Sequence, residues 1–252
     1  MRKFVNEKDF VLLLAENEKY LVKVGNKKLN TNSGYINLKN LVGKKYGEKV
    51  TTHIGKKFVI VEPCLIDFMK KKLKRIPQIV SPKDASLILA YTGIRQNSVV
   101  LDAGSGSGFL AIFLAYYLPD GRIITYEKRK EYVEVVERNV KTLGLNNIEV
   151  RNRDIIEDGF DEKDIDLITL DMKDAEKVVK HAYKSLKHGG WLVIYSPYIE
   201  QVLKVKKEIQ KRNFTDVKVV ESIVREWKVE KYTRPSTLGI MHTGFLTFAR
   251  KV

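Results

Sequence analysis

The strongest constraint on the fold is a short apolar run that passes directly into a glycine-rich loop. Residues 99–103 read Val-Val-Leu-Asp-Ala, glycines follow at Gly104, Gly106 and Gly108, and the apolar stretch Leu110–Tyr117 comes next. A strand, a glycine loop and a helix in this order form the unit at which open α/β sheets bind nucleotide-like ligands. The sequence therefore predicts a ligand site at the carboxyl end of this strand.

From Pro82 onward, strand-like and helix-like stretches alternate, which predicts parallel strands joined by crossover helices. Ser81 is suited to cap a helix that has Pro82 at its first position. The expected strands are Ser98–Asp102, Arg122–Glu127, Ile148–Arg151, Ile165–Asp171 and Gly190–Ser196, then an antiparallel pair of Val217–Trp227 with Gly244–Ala249. The predicted fold class is α/β, with a doubly wound, Rossmann-like sheet.

The first 62 residues have a different pattern, with short alternating runs rich in β-branched residues and separated by turn residues. This pattern predicts a small antiparallel β-domain, either a compact barrel or a sandwich. Leu65–Arg75 is typical of a short helix or linker, and Pro77 interrupts regular structure there. We therefore expect two domains, a small β-domain at residues 1–75 and the α/β domain at residues 76–252.

The net charge of +15 is unevenly distributed along the chain. Residues 1–80 contain 18 Lys and Arg against 7 Asp and Glu. Such an excess predicts a polyanionic partner held through phosphate neutralisation, and it places that function in the amino-terminal domain. The alternative is the solvated surface of a heat-adapted protein, but heat adaptation enriches both Lys and Glu, so the one-sided excess favours nucleic acid.

Several classes of protein do not fit the composition. No apolar run approaches the roughly eighteen residues of a transmembrane helix, and the segment MRKFVNEKDF lacks the features of a signal peptide, so we expect a cytoplasmic protein with no membrane contact. The single cysteine, Cys64, excludes an intrachain disulfide, and the four scattered histidines show no metal-ligand spacing, so no metal is expected. Cys64 itself is predicted to be a buried apolar residue and not a reactive thiol.

Two details of the loop favour S-adenosylmethionine over a dinucleotide as the ligand. The spacing Gly104-x-Gly106-x-Gly108 is one residue shorter than the dinucleotide G-x-G-x-x-G fingerprint. Asp102 ends the strand two residues before the first glycine, where it can either fix the loop or reach the ammonium group of the ligand. An acidic residue in that position suits a cationic cofactor better than a pyrophosphate.

Carboxylates at the ends of the following strands complete the predicted site. Glu127 can bind both ribose hydroxyls of an adenosine moiety, or it is a solvated charge at a strand end. Asp154 is placed to accept a hydrogen bond from the adenine amino group, or it is a surface-loop aspartate. Asp171 ends the fourth strand, beside the expected position of the methyl group.

Asp171 is our candidate catalytic residue, because methyl transfer to a ring nitrogen of adenine needs a group that handles the proton of the substrate. The alternative is that Asp171 caps a helix that begins near Asp174 or closes the strand. Ser196-Pro-Tyr198 is similar to the S-P-P-Y box of exocyclic amino methyltransferases, but it lacks one proline and follows the fifth strand. We therefore predict that it is a turn, and that His242, in the last segment, is a structural histidine.

Together these residues resemble the tRNA 1-methyladenosine methyltransferases that act on the T-loop, in their single-subunit archaeal and bacterial form. The likeness covers nearly the whole chain. It rests on Pro77-Gln-Ile-Val-Ser-Pro-Lys-Asp-Ala85, Asp102-Ala-Gly-Ser-Gly-Ser-Gly108, Tyr126-Glu127, Leu170-Asp171, Ser196-Pro-Tyr-Ile-Glu-Gln-Val202 and His242-Thr-Gly-Phe-Leu-Thr-Phe-Ala249.

The resemblance implies a class I S-adenosylmethionine-dependent methyltransferase domain, a β-domain that assists tRNA binding, and a homotetramer. The target is the T-loop adenosine at position 58 and, in some archaeal members, also at 57. Asp171 would bond the exocyclic amino group of that adenine as the ring nitrogen attacks. The resemblance also implies a set of cofactor contacts, to which we add the strand-end carboxylates Asp102 and Asp171. The full predicted set is Val80, Asp102, Gly104, Ser105, Gly106, Ser107, Gly108, Glu127, Asp154, Ile155 and Asp171.

Two positions depart from the family pattern. Ser81 stands where relatives carry an aromatic residue or histidine, which predicts that a base-stacking contact is lost, and Met172-Lys173 replaces a proline-containing turn. Two rival functions are a methyltransferase for a small molecule, such as a corrinoid precursor, or for a protein, and a non-catalytic RNA-binding subunit. The basic amino-terminal segment argues against the first, and the intact loop with its carboxylates argues against the second.

Overall fold

A computed structural model describes residues 3–76, 78–236 and 241–252. The chain divides into two compact units, Met1–Leu73 and Lys74–Val252. Pro77, which the sequence placed at the interruption between domains, lies outside the described residues. Within the described part of the chain, no helix is both long and apolar enough to cross a membrane, and no group of His, Cys, Asp and Glu side chains could hold a metal ion.

The amino-terminal unit is built from antiparallel strands and one terminal helix. Its strands are β1 (Phe10–Ala15), β2 (Glu18–Lys23), β3 (Lys28–Thr31), β4 (Gly34–Asn37), β5 (Lys49–Thr51) and β6 (Lys57–Val61), and helix α1 spans Leu65–Lys71. Four strands form a sheet in the order β2-β1-β6-β5, while β3 and β4 pair as a separate hairpin. The alternating runs place one face of each strand in a common apolar core, as a half-buried antiparallel sheet requires.

Cys64 corrects one expectation from the sequence. Its side chain is exposed, and it occupies the position just before α1, where its Sγ lies 3.1 Å from Oδ2 of Asp67. The Asp67 carboxylate also accepts a bond from the backbone N–H of Cys64. The residue therefore sits at the start of a helix, where partial exposure is normal, and not in the apolar core.

The second unit contains a seven-stranded sheet with helices between its strands. In chain order the elements are α2 (Pro82–Thr92), β7 (Val99–Ala103), α3 (Phe109–Tyr117), β8 (Arg122–Glu127), α4 (Lys130–Leu143), β9 (Ile148–Asn152), α5 (Ile155–Asp158), β10 (Ile165–Leu170), α6 (Val179–Ser185), β11 (Leu186–Ser196), α7 (Ile199–Ile209), β12 (Phe214–Glu221), β13 (Trp227–Lys228), β14 (Arg234–Pro235) and β15 (Phe245–Lys251). The strand order is β12-β15-β11-β10-β7-β8-β9, and β13 pairs with β14 as a separate ribbon.

The predicted doubly wound α/β sheet is confirmed. Strands β9, β8, β7, β10 and β11 run parallel, and β15 lies antiparallel between β11 and β12. The predicted end of the strand Val217–Trp227 is wrong. Strand β12 stops at Glu221, and Trp227 belongs to the exposed ribbon. Strand β11 begins four residues earlier than predicted, at Leu186.

Parallel strands bring all their carboxyl ends to one edge of the sheet, and this edge positions the site. The strand order reverses at β7, which has β10 on one side and β8 on the other. Helix α2 begins as the sequence predicted, with Pro82 at its first position and Ser81 as its cap, whose side chain accepts a bond from the N–H of Asp84. The segment before α2 reaches the same edge, where Val80 is buried.

Candidate active site

A cavity of about 810 Å³ opens at the carboxyl ends of strands β7 to β11, within the second unit. This size is in the range of pockets that enclose a cofactor or drug-sized ligand. The ends of β8 and β9 form one half of its wall, and the ends of β10 and β11 form the other half. Nine of the residues predicted to bind a cofactor lie on the wall: Val80, Gly104, Ser105, Gly106, Ser107, Glu127, Asp154, Ile155 and Asp171.

The glycine loop separates the two halves of the cavity. Gly104 has φ of +84°, and a Cβ atom there would lie 2.1 Å from the carbonyl oxygen of Asp171. Only glycine fits both the left-handed backbone and this close approach. The backbone N–H of Asp171 also donates to the carbonyl of Ala103, at 2.9 Å, so the loop and the end of β10 are held together.

Asp102 lies behind the cavity wall and not on it. The carboxylate is 2% exposed and accepts hydrogen bonds from the hydroxyls of Thr125, at 2.6 Å, and Thr169, at 2.7 Å. Because Thr125 donates its proton to Asp102, Ser105 of the loop donates to Thr125. Burial raises the pKa of Asp102, against the lowering effect of the two threonine hydroxyls. Of the two roles open from the sequence, the structure places Asp102 where it fixes the loop.

Gly108 is the other predicted cofactor contact that is not on the wall. It precedes α3 as its cap, and its N–H donates to the carbonyl of Ser105 at 2.7 Å. A Cβ atom at Gly108 would lie 2.7 Å from the side chain of Val136 in α4. Gly108 therefore closes the loop and lets the start of α3 come close to Val136 of α4.

Glu127 is held in a cage of hydrogen bonds at the end of β8. One carboxylate oxygen accepts from the backbone N–H of Gly106 at 3.1 Å, and the other accepts from the N–H of Arg129 at 3.0 Å. The Arg129 guanidinium contacts the same oxygen and stacks on the ring of Tyr132, 3.6 Å from its centroid. The side chain is 5% exposed, so these bonds fix a carboxylate that faces the cavity.

Asp154 follows β9 and caps the short helix α5. Its Oδ1 accepts from the N–H of Ile156 at 3.0 Å, while its Oδ2 lies 3.8 Å from the ammonium group of Lys128. Ile155 is buried beside it and contributes apolar wall. The carboxylate and the apolar surface thus lie together in the half of the cavity formed by β8 and β9.

Asp171 is the unpaired carboxylate of the other half. Among the described residues, no donor forms a hydrogen bond or ion pair with its side chain, which is partly accessible on the cavity wall. Burial, with a smaller contribution from the nearby charge of Asp102, raises its pKa to about 7. Asp171 does not cap the following helical turn, because Asp174 is the cap of that turn.

Tyr195 lies across from Asp171 on the neighbouring strand β11. Its hydroxyl donates to the carbonyl of Thr243, and burial raises the pKa of this phenol to about 12. Gly244 passes directly against the ring, so that a Cβ atom there would lie 2.6 Å from the ring carbon that bears the hydroxyl. The phenol is therefore neutral and fixed in place near neutral pH.

A buried polar cluster anchors this side of the cavity. The carboxylate of Asp84, 1% exposed, accepts from Ser81, Lys83 and Thr243, at 2.8, 2.7 and 2.8 Å. Lys83 also donates to the carbonyl of Ser222 at the end of β12. Ser81 is thus committed to the start of α2, which is consistent with the predicted loss of an aromatic contact at that position.

The remaining candidates from the sequence are the Ser196-Pro-Tyr198 segment and His242, which adjoin the cavity. Ser196 ends β11 and Tyr198 precedes α7, so Ser196-Pro-Tyr198 is the predicted turn. The His242 side chain bonds Glu221 and the carbonyl of Pro197, and the Glu221 carboxylate raises its pKa. Sequence reasoning missed Thr125 and Thr169, although each is a hydroxyl residue within an otherwise apolar strand that pairs directly with Asp102 in register.

Comparisons with known proteins agree with this geometry. A family profile described as the tRNA methyltransferase complex GCD14 subunit matches residues 66–240. The tRNA (adenine(57)-N(1)/adenine(58)-N(1))-methyltransferase of Methanocaldococcus jannaschii is 36% identical over 270 residues, which cover 96% of this chain and 94% of the relative.

Two solved structures are similar over almost the whole chain. One is a protein from Thermotoga maritima described as an S-adenosylmethionine-dependent O-methyltransferase, with a TM-score of 0.90, 36% identity, and coverage of 99% of this chain and 95% of the other. The second is the tRNA (m1A58) methyltransferase of Aquifex aeolicus, with a TM-score of 0.84, 26% identity and coverage of 99% of both chains.

Proposed function

The chain belongs to the family of tRNA (adenine-N1)-methyltransferases, and from that membership we propose its particular reaction. It transfers a methyl group from S-adenosylmethionine to N1 of a T-loop adenosine in tRNA, at position 58 and, as in the name of the Methanocaldococcus relative, at 57. The observation that supports this most strongly is Asp171, an unpaired carboxylate on the wall of a cavity whose other half is built for an adenosine group.

The residues present fit S-adenosylmethionine. Gly104 and Gly106 lie on the cavity wall without side chains, so a ligand can approach their backbone closely. Glu127 is fixed for the ribose hydroxyls, and Asp154 with Ile155 is placed for the adenine. Carboxylates on both halves of the cavity suit a ligand that carries positive charge. Asp102 and Gly108 would support this site by fixing the loop.

Asp171 handles the acceptor base in this reaction. The cofactor supplies an electrophilic methyl group on a sulfonium, which leaves as a neutral thioether. Adenine N1 forms the new N–C bond with its lone pair, so the base gains the positive charge. Asp171 accepts a hydrogen bond from the exocyclic amino group, stabilises this charge as it develops, and afterwards takes a proton from that amino group.

We propose that the amino-terminal unit binds the tRNA backbone. Most of the net positive charge of the chain lies in residues 1–80, and Lys27, Lys39 and Lys49 are exposed there. None of the three forms an ion pair with a described residue. Replacing all three with Ala should raise the KM for tRNA about tenfold and flatten its salt dependence, because three phosphate contacts are lost.

The matched control removes the same charge from the second unit, through Ala at Lys130, Lys141 and Lys163, which are also exposed. We expect a smaller change in the KM for tRNA and an unchanged Kd for S-adenosylmethionine. Equal effects of the two triple variants would contradict a binding role confined to the amino-terminal unit.

A homotetramer in the cytoplasm, where its substrate tRNA is found, is also part of the proposal. The segment with the β13–β14 ribbon exposes an unusual set of large apolar side chains: Ile223, Val224, Trp227, Val229 and Tyr232, each at least 55% exposed. Several large apolar side chains exposed within one short segment are typical of a protein interface. Light scattering coupled to size-exclusion chromatography measures the assembly, and a monomer would remove this part of the proposal.

The decisive experiment is incubation with an unmodified tRNA transcript and labelled methyl donor, followed by nucleoside mass spectrometry. We expect 1-methyladenosine in the T-loop. Transcripts that carry uridine at position 58, at 57, or at both then assign the site, because the product is lost when the target adenosine is replaced. The Thermotoga structure, described as an O-methyltransferase, favours a second candidate in which the acceptor is an oxygen of another substrate. Cofactor binding without any methylated nucleoside would support that candidate and refute ours.

A further inference from the structure

Tyr198 has an exposed aromatic ring at the edge of the cavity. It follows β11 directly after Pro197, lies on the cavity wall, and is 61% exposed. Among the described residues, no aromatic ring or cation packs against the Tyr198 ring. Tyr195, on the same wall, is different, because its hydroxyl and its ring are held by Thr243 and Gly244.

The backbone of Tyr198 holds this ring in place. Tyr198 is the cap residue of α7, with an extended backbone at φ −126° and ψ 144°. Its N–H donates to the side-chain oxygen of Gln201, in the first turn of α7 and also on the cavity wall. A ring that projects from a fixed helix start can bind a planar group with little additional loss of backbone entropy.

The surroundings of the ring suit a nucleotide. The half of the cavity formed by β10 and β11 also contains Asp171, the proposed partner of an adenine amino group. Lys173 lies on the same wall with its side chain exposed, so a phosphate group of a bound nucleotide has a cationic partner there. Unstacked RNA bases bind proteins largely by stacking on aromatic side chains, since every base has a π-face.

We propose that Tyr198 stacks on the target adenine of the tRNA and holds it in the half of the cavity that contains Asp171. Tyr198 is thus a substrate-positioning residue that does not contact the methyl donor. The inference rests on the proposed function, because it needs an RNA base as the acceptor. It also gives the Ser196-Pro-Tyr198 turn a role that its position after the fifth strand did not suggest.

The test compares Tyr198→Leu, which removes the aromatic plane and keeps apolar bulk, with Tyr198→Phe, which keeps the plane. The control is Tyr117→Leu, at the end of α3, because Tyr117 is 44% exposed and is not on the cavity wall. We expect Tyr198→Leu to raise the KM for tRNA about tenfold, the loss of one base stack, with an unchanged Kd for S-adenosylmethionine. Tyr198→Phe and the control should stay within about twofold of the wild type.

A second measurement uses tRNA with 2-aminopurine in place of the target adenine, because stacking on an aromatic ring quenches its fluorescence. In the bound state we expect brighter emission with Tyr198→Leu than with the wild type or Tyr198→Phe. Equal emission, or a wild-type KM in Tyr198→Leu, would overturn the inference while tRNA methylation by the wild type still stood. If the wild type methylates no tRNA, the proposed function itself fails.

Discussion

The two halves of the cavity differ in how their charged groups are paired. In the half formed by β8 and β9, Glu127 accepts bonds from Gly106 and Arg129, and Asp154 accepts one from Ile156. In the half formed by β10 and β11, Asp171 accepts none from the described residues, and burial raises its pKa to about 7. Carboxylates paired with protein donors are fixed before a ligand arrives, which suits binding. An unpaired carboxylate is still free to accept a hydrogen bond from the substrate and to stabilise charge that develops during the reaction.

The largest expected effect removes the unpaired carboxylate. Asp171→Ala should lower the single-turnover methylation rate by about a thousandfold, within the range for loss of a general acid–base group. Binding of S-adenosylmethionine, measured by calorimetry, should change by less than about fivefold, because the other half holds the adenosine group. Asp174→Ala, on the same cavity wall, is the matched control. An unchanged rate in Asp171→Ala would refute its assigned role.

The converse change weakens the paired half. Glu127→Gln should raise the Kd for both S-adenosylmethionine and S-adenosylhomocysteine by about thirtyfold, since bonds from two ribose hydroxyls to a charged acceptor are lost. The rate at saturating cofactor should stay within about threefold of the wild type. Glu131→Gln, exposed in the first turn of α4, controls for the loss of charge. A large fall in that saturated rate would erase the distinction between the two halves.

The unpaired carboxylate that serves the reaction should lower the free energy of unfolding of the protein once it is ionised. The pKa of Asp171 is raised above its ordinary value in the folded protein, so its contribution to stability is present at low pH and is lost as the pH rises through about 7. Asp171→Asn should therefore become more stable relative to the wild type by about 2 kcal/mol between pH 5 and pH 8. Urea unfolding of the ligand-free protein at both pH values measures this, and a constant difference would contradict it.

The smallest effect is a pH dependence of cofactor binding. Asp171 carries its full charge only above pH 7, where it attracts the sulfonium of S-adenosylmethionine. We expect the Kd for S-adenosylmethionine to fall about fivefold more between pH 6 and pH 8 than that for neutral-sulfur S-adenosylhomocysteine, which shares its other ionisable groups. The difference should vanish in Asp171→Asn, and its persistence there would assign it to another group.

Most of the parallel sheet could be predicted because its strands are short, mainly apolar runs between turn signals. The end of β12 could not, since the apolar pattern continues through Ile223 and Val224 although both are exposed. The sequence gives little signal for the amino-terminal strands β3 and β5, because they are only four and three residues long and carry mostly polar side chains. Pattern alone does not distinguish an exposed apolar segment from a buried strand.

The sequence could predict those residues of the candidate site whose position follows from being at the end of a strand. Glu127, Asp154 and Asp171 reach the cavity because parallel strands share one edge. The position of Asp102 behind the wall depends on its register with Thr125 and Thr169, and the exposure of Tyr198 depends on how α7 begins. Register and side-chain exposure are properties of the assembled sheet, so one segment of sequence does not determine them.

The contact between Gly104 and the backbone of Asp171 has a consequence for how such enzymes diverge. As long as Gly104 is kept, main-chain atoms set this contact, so the spacing between the glycine loop and the end of β10 is insensitive to side-chain substitution elsewhere. Descendants of such a chain can therefore acquire new acceptors by drift in the loops that follow β10 and β11 while the donor geometry is inherited intact. Acceptor choice becomes the variable trait of the lineage, and methyl-donor use the constant one.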